Sequence, residues 1–179
     1  MIRRIAAAVA TLVVATAVLS GCIGQPAPAE STPLFSSEDE AFAAAEQTYR
    51  NYVDALNQVD LSDPSTFEPV YAWTTGDLNA QDRKNFSSWH ASDWTKTGVA
   101  TVSAVEQAGA SQLDTLTPMM LIDACYHVAD VIVTDAQGES VVDPSRPDVQ
   151  HLRIELESGP SDTGLVVEAI TPSPGPTTC

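Results

Sequence analysis

The hydrophobic period of this chain changes once, near Asp93, and that change limits the folds open to it. Before it, Phe42, Ala45, Tyr49, Tyr52, Val53, Leu56 and Val59 recur every three or four residues, which predicts one apolar stripe on a long helix. Ser37 and Glu40 are spaced as a capping box, with Glu38 and Asp39 in the first turn, and the helix should end near Gln58 or Val59. Asp63-Pro64 offers a second start, for a shorter helix carrying Phe67, Val70, Tyr71 and Trp73. Gly76-Asp77 breaks it, and a third helix is expected from about Asn79 to His90 with Phe86 and Trp89 inward.

After Asp93 the period is two. Val99–Val105 is rich in β-formers. Met120, Ile122, Ala124, Tyr126 and Val128 alternate with Leu121, Asp123, Cys125 and His127 in a long strand expected to continue through a bulge into Val131–Val133. His151–Glu157 is the clearest strand, with Leu152, Ile154 and Leu156 inward, and Leu165–Ile170 completes the set. Helices followed by strands predict an α+β domain over residues 37–171, an antiparallel sheet of about four strands covered on one face, with 172–179 as a tail.

The N-terminus speaks to address. Arg3 and Arg4 precede an apolar run from Ile5 to Leu19, shorter than the roughly 20 residues a membrane span needs, so residues 1–21 read as a signal peptide. Leu19-Ser20-Gly21-Cys22 resembles the lipobox of bacterial lipoproteins. The resemblance implies cleavage between Gly21 and Cys22 and diacylglycerol on the Cys22 sulfur, hence a membrane anchor on the extracytoplasmic face. Residues 22–36, with Pro26, Pro28 and Pro33, read as a disordered tether reaching roughly 20 Å.

Two cysteines remain. Outside the cytoplasm an even remainder favours a Cys125–Cys179 bridge, worth about 3–4 kcal/mol for so long a loop; a buried Cys125 thiol with a loose Cys179 is the alternative. The formal charge is −16, and losing Arg3 and Arg4 with the leader makes it −18. Such a body repels nucleic acid, which we exclude as a partner. His90, His127 and His151 lie far apart without His-x-x-x-His, Cys-x-x-Cys or EF-hand spacing, so neither metal nor cofactor is expected.

The order of elements resembles the cone-shaped NTF2-like (cystatin-like) fold, N-terminal helices packed on a curved antiparallel sheet. Tyr49–Asn57 and Tyr71–Gly76 are similar to segments of actinobacterial lipoproteins. NTF2-like enzymes enclose an apolar pocket in which an Asp or His acts on a carbon acid or a hydroxyl. The resemblance therefore makes His90, Asp93, Asp123 and His127 candidate bases, and Tyr49, Tyr52, Trp73, Trp89, Trp94 and Tyr126 candidate walls. From these we expect a ligand pocket of Tyr52, Trp73, His90, Trp94 and Tyr126. No residue matches the catalytic Asp-and-Tyr pattern of the isomerases, and strand parity predicts that Asp123 and His127 face solvent. The expected function is thus a membrane-tethered, non-enzymatic module for a protein or small-molecule ligand; the alternative is a lyase or isomerase using an apolar pocket. The resemblance also admits a homodimer through the open sheet face.

Overall fold

The computed structural model describes residues 33–109, 112–113, 118–174 and 179. The leader, Cys22 and most of the expected tether lie outside them. Among the described residues three α-helices, α1 (Glu38–Asn57), α2 (Glu68–Tyr71) and α3 (Gly76–Ala91), precede six strands. These are β1 (Thr95–Thr97), β2 (Thr101–Gln107), β3 (Met119–His127), β4 (Ile132–Thr134), β5 (Val149–Ser158) and β6 (Leu165–Pro172). The molecule is α+β. An antiparallel sheet has the order β2-β3-β5-β6, and β1 and β4 form a separate two-stranded ribbon. Among the described residues no helix is long and apolar enough to cross a membrane.

The α1 stripe is inward as its period requires. Ala45, Tyr49, Tyr52, Val53 and Val59 are buried, with Phe42 and Leu56 packed at the margin. Ser37 caps it, its hydroxyl accepting from the Glu40 N–H. The reciprocal arm differs from the expected box, because the Glu40 carboxylate accepts from the backbone N–H and hydroxyl of Ser36, not from Ser37. This helix lies against β2, β3 and β6. It also satisfies β2 at the sheet edge. The Asn57 side chain both donates to the Ala100 carbonyl and accepts from its N–H, at 2.8 Å each, and Arg50 donates to the Val102 carbonyl.

The segment after Asp63 is shorter than expected. Asp63 caps a 3-10 turn, Pro64–Thr66, and only one α-turn follows, with Val70 and Tyr71 buried. Gly76 does not separate two helices but opens α3 with φ +53°, a conformation that suits glycine. The other end of α3 is a Schellman motif. Asp93 N–H donates to His90 O and Trp94 N–H to Trp89 O, both at 3.0 Å, with Asp93 left-handed at φ 55°. The hydrophobic contact that accompanies such a motif is the stack of Trp94 on Trp89, centroids 6.1 Å apart.

Two expectations for the strands are corrected. Val131–Val133 does not prolong β3. The chain turns at Val128–Val131, and β4 pairs instead with β1, a polar strand that carries no period-two signal. Gly98, after β1, permits this crossing, since a Cβ there would collide with the Asp130 backbone carbonyl. Nor does Asp123 face solvent: it is 7% exposed, and Cys125 on the same parity is fully buried. Directly opposite Asp123 in the β3–β5 ladder, Arg153 grips its carboxylate through two hydrogen bonds of 2.9 Å. Cys125 is bonded to Cys179, Cα atoms 5.6 Å apart. The β5–β6 ladder runs past the expected domain end, through Pro172 to the bond from Ser173 N–H to His151 O.

A non-glycine residue in the left-handed region costs about 1 kcal/mol relative to glycine. We therefore expect Asp93→Gly to stabilise the protein by about that much, raising the thermal midpoint by about 3 °C. An unchanged or lower midpoint in calorimetry would show that the Asp93 side chain contributes something the cap geometry does not contain.

Candidate functional site

The inner face of the sheet and α1 do not close completely on each other. Between them lies a cavity of about 490 Å³, within the range that small-molecule sites occupy. α1 and the turn after it supply Tyr49, Tyr52, Leu56, Val59 and Leu61; α3 supplies Asp82, Phe86 and Trp89. From the sheet come Tyr126 of β3, Gln150 and Leu152 of β5, and the end of β6; Val128 and Val131 come from the turn after β3, Lys96 and Val133 from the ribbon, and Arg146 from the loop before β5. Aromatic and aliphatic walls with a few placed polar groups are the usual composition of a ligand site.

Asp82 is the most perturbed acid. It is 8% exposed, and the Tyr52 hydroxyl donates to its carboxylate at 3.3 Å. Loss of hydration pushes its pKa up to about 6, against the lowering effect of the Tyr52 bond. Burial raises the Tyr52 phenol well above its ordinary range, with the Asp82 charge adding to the effect. Tyr49 and Tyr126 are raised by burial as well, so these three phenols stay protonated and can donate hydrogen bonds. Lys96, half-buried, is lowered by desolvation and donates to the Asn57 carbonyl at 3.3 Å. Arg146 donates through Nη2 to the carbonyls of Val128 and Val131, both at 2.8 Å.

Of the five expected pocket residues, Tyr52 and Tyr126 line this cavity, and Trp73, His90 and Trp94 do not. The Trp73 backbone extends the sheet, its carbonyl accepting from Val167 N–H. His90 points to the far side of α3, Nδ1 2.7 Å from the Leu61 carbonyl and edge-on to Phe67, over a shallower depression. Trp94 is held in the Schellman stack. The four candidate bases are also elsewhere: Asp93 is the helix-end residue, Asp123 is clamped by Arg153, and His127 Nε2 lies 2.6 Å from the Ser103 hydroxyl. Trp89 and Tyr49, named as walls, do line it.

Sequence reading missed Asp82, yet a signal existed. Leu78, Asp82, Phe86 and Trp89 stand at helical spacing, and Asp82 is an acid in the apolar stripe. Lys96 and Arg146 had no such signal, because tertiary contact alone brings them to the cavity. Among the described residues no group of three His, Cys, Asp or Glu side chains could hold a metal ion.

Asp82 and Asp123 should respond to pH with opposite signs. The folded protein holds the Asp82 proton more tightly than the unfolded chain does, so this group favours folding in acid, and that contribution fades between about pH 4 and about pH 6. The hydrogen bonds from Arg153, with Ser173 adding, hold Asp123 below the ordinary carboxylate range; its contribution is present above that range and fades as pH falls. Melting curves from pH 3.5 to 8 should show Asp82→Asn more stable than the parent at pH 7.5 and equal to it near pH 4. Asp123→Asn should be less stable at pH 7.5, converging in acid. Equal destabilisation of Asp82→Asn at every pH would contradict the desolvation account.

No protein-family model matches the chain, and no curated protein matches it. Among solved structures, a periplasmic fragment of TraM matches with 15% identity, covering 76% of this chain and 96% of that one, at TM-score 0.40. A likeness of that degree identifies neither a fold family nor an activity.

Proposed function

We propose that this chain is a lipid-anchored extracytoplasmic lipoprotein whose α+β domain, an NTF2-like cone, binds a small and largely apolar molecule without transforming it. The observation that carries the binding reading is the cavity of about 490 Å³ between α1 and the sheet, walled by Tyr49, Tyr52, Phe86 and Tyr126. The anchor rests on the basic start, the apolar run and Leu19-Ser20-Gly21-Cys22. Two acyl chains hold a protein at a membrane where one exchanges, since each buried methylene adds about 0.8 kcal/mol.

A second reading, a lyase or isomerase, is favoured by one observation. Asp82, with a pKa of about 6, sits beside the Tyr52 hydroxyl in an apolar cavity, as a general base working near neutrality requires. Turnover of a carbon-acid substrate that disappears in a folded Asp82→Asn variant would establish it and end the non-enzymatic reading.

Two outcomes test the proposal. Cys22→Ala should move the protein from the membrane to the soluble extracytoplasmic fraction, and a product still sedimenting with membranes would remove the anchor. The uncharged fluorophore N-phenyl-1-naphthylamine should bind saturably at one site. Ile170→Trp, which adds bulk at the cavity wall, should weaken it at least about tenfold while circular dichroism stays unchanged. Binding indifferent to that substitution would mean that the probe is held elsewhere.

A further inference from the structure

The geometry points to a small apolar anion as the ligand of this cavity, its body against the aromatic walls and its negative group held by Lys96 and Arg146. This deepens the binding reading above and rests on it. The argument begins with how the cations of this chain are used. The protein has 24 acidic and eight basic residues, so a cation finds a carboxylate easily. Arg50 pairs with Glu46, Arg83 with Glu68, and Arg153 with Asp123. Lys96, Arg146 and Lys84, the last exposed on α3, form no ion pair among the described residues; of these three, Lys96 and Arg146 line the cavity.

Their protein partners are neutral carbonyls. These fix each side chain but leave its full charge uncompensated. Lys96 is held by Asn57 O, and Arg146 by Val128 O and Val131 O through one of its three nitrogens. The placement is shared. Lys96 stands opposite Val133 in the β1–β4 ribbon, and Arg146 grips the carbonyl just before β4, so both cations reach the cavity at its ribbon end. Asp82 belongs to a different wall, on α3, bonded to Tyr52 of α1. Even with Asp82 ionised the lining carries one net positive charge, in a protein whose overall charge is −16. A cationic ligand would face two like charges to gain one carboxylate. A neutral ligand would leave both cations uncompensated in partly desolvated positions, where a charge-assisted hydrogen bond is stronger than in water.

A matched pair of probes tests this on the full-length protein. 8-Anilinonaphthalene-1-sulfonate and N-phenyl-1-naphthylamine share one aromatic body and differ by the sulfonate. The sulfonate should bind about tenfold or more tightly than the amine. Lys96→Met and the double variant Lys96→Met/Arg146→Met should erase that advantage while leaving the amine within about threefold. Should loss of the Arg146 bonds to Val128 and Val131 unfold the double variant, Lys96→Met and Lys96→Glu decide alone, the charge reversal being expected to abolish sulfonate binding. Equal affinities for the two probes, or a sulfonate preference that survives Lys96→Glu, would overturn the anion assignment and leave the pocket standing. If neither probe binds, or if Ile170→Trp alters neither, the pocket itself falls and the anion assignment with it.

Discussion

Register between β3 and β5 is the constraint on which the rest of this structure depends. Nine consecutive pairs run from Met119↔Glu157 to His127↔Val149. Because side chains alternate, a slip of one residue would turn Met120, Ile122 and Ala124 outward and force Asp123 and Cys125 into the apolar core. Two features make that slip costly. Asp123 and Arg153 meet only in the native register, through a two-pronged bond, and Cys125 is tied to Cys179. The ion pair, partly open to water, acts more through specificity than through strength. The inner face then presents fully buried Met120, Ile122, Ile154 and Leu156 to α1.

Against that face, α1 gains bulk after its first turns. Its buried positions begin with Ala41 and Ala45 and continue with Tyr49, Tyr52 and Val53, with Thr48 and Ala55 as smaller buried neighbours. Small side chains let a helix approach its neighbour, and large ones hold it off. The cavity lining includes Tyr49, Tyr52, Leu56 and Val59 but none of the buried alanines of α1. Beyond the end of α1 the β1–β4 ribbon contributes wall through Lys96 and Val133. The Asn57 side chain, bonded to the Ala100 backbone, joins the end of α1 to the start of β2 and so fixes the helix against the sheet edge.

The parts legible in the sequence are those whose burial follows from local period. The stripe from Phe42 to Val59 and the alternation around Ile154 each bury a face that can be read from one segment. The illegible parts depend on distant contact. Thr95–Thr97 is a strand only because β4 lies beside it, and Val131–Val133 leaves β3 only because Gly98 admits the backbone of Asp130. Parity separates Asp123 from the apolar set but does not contain its burial, which comes from Arg153 and Ser173 closing on the carboxylate. For the site, aromatic residues on a known stripe, Tyr52 and Tyr126, were found. Trp73, His90 and Trp94 were not distinguished from residues that finish turns and helix ends. Asp82 interrupts the α3 stripe, and an acid where a leucine would pack was the visible sign.

The tail bears on what the outer sheet face can do. Ser173 continues the ladder from β6 against His151, and Cys179 rejoins the sheet at Cys125, the residue paired with His151 in the β3–β5 register. Both tail attachments therefore fall on one rung, beside the Asp123–Arg153 pair. A second copy packed face to face on this sheet would have to accommodate the cystine and desolvate that ion pair, while Met120, Ile122, Ile154 and Leu156 are already committed to the interior. Desolvating charged groups without new partners opposes association. Inside the fold, by contrast, the Tyr52–Asp82 pair and the cations Lys96 and Arg146 share one apolar space.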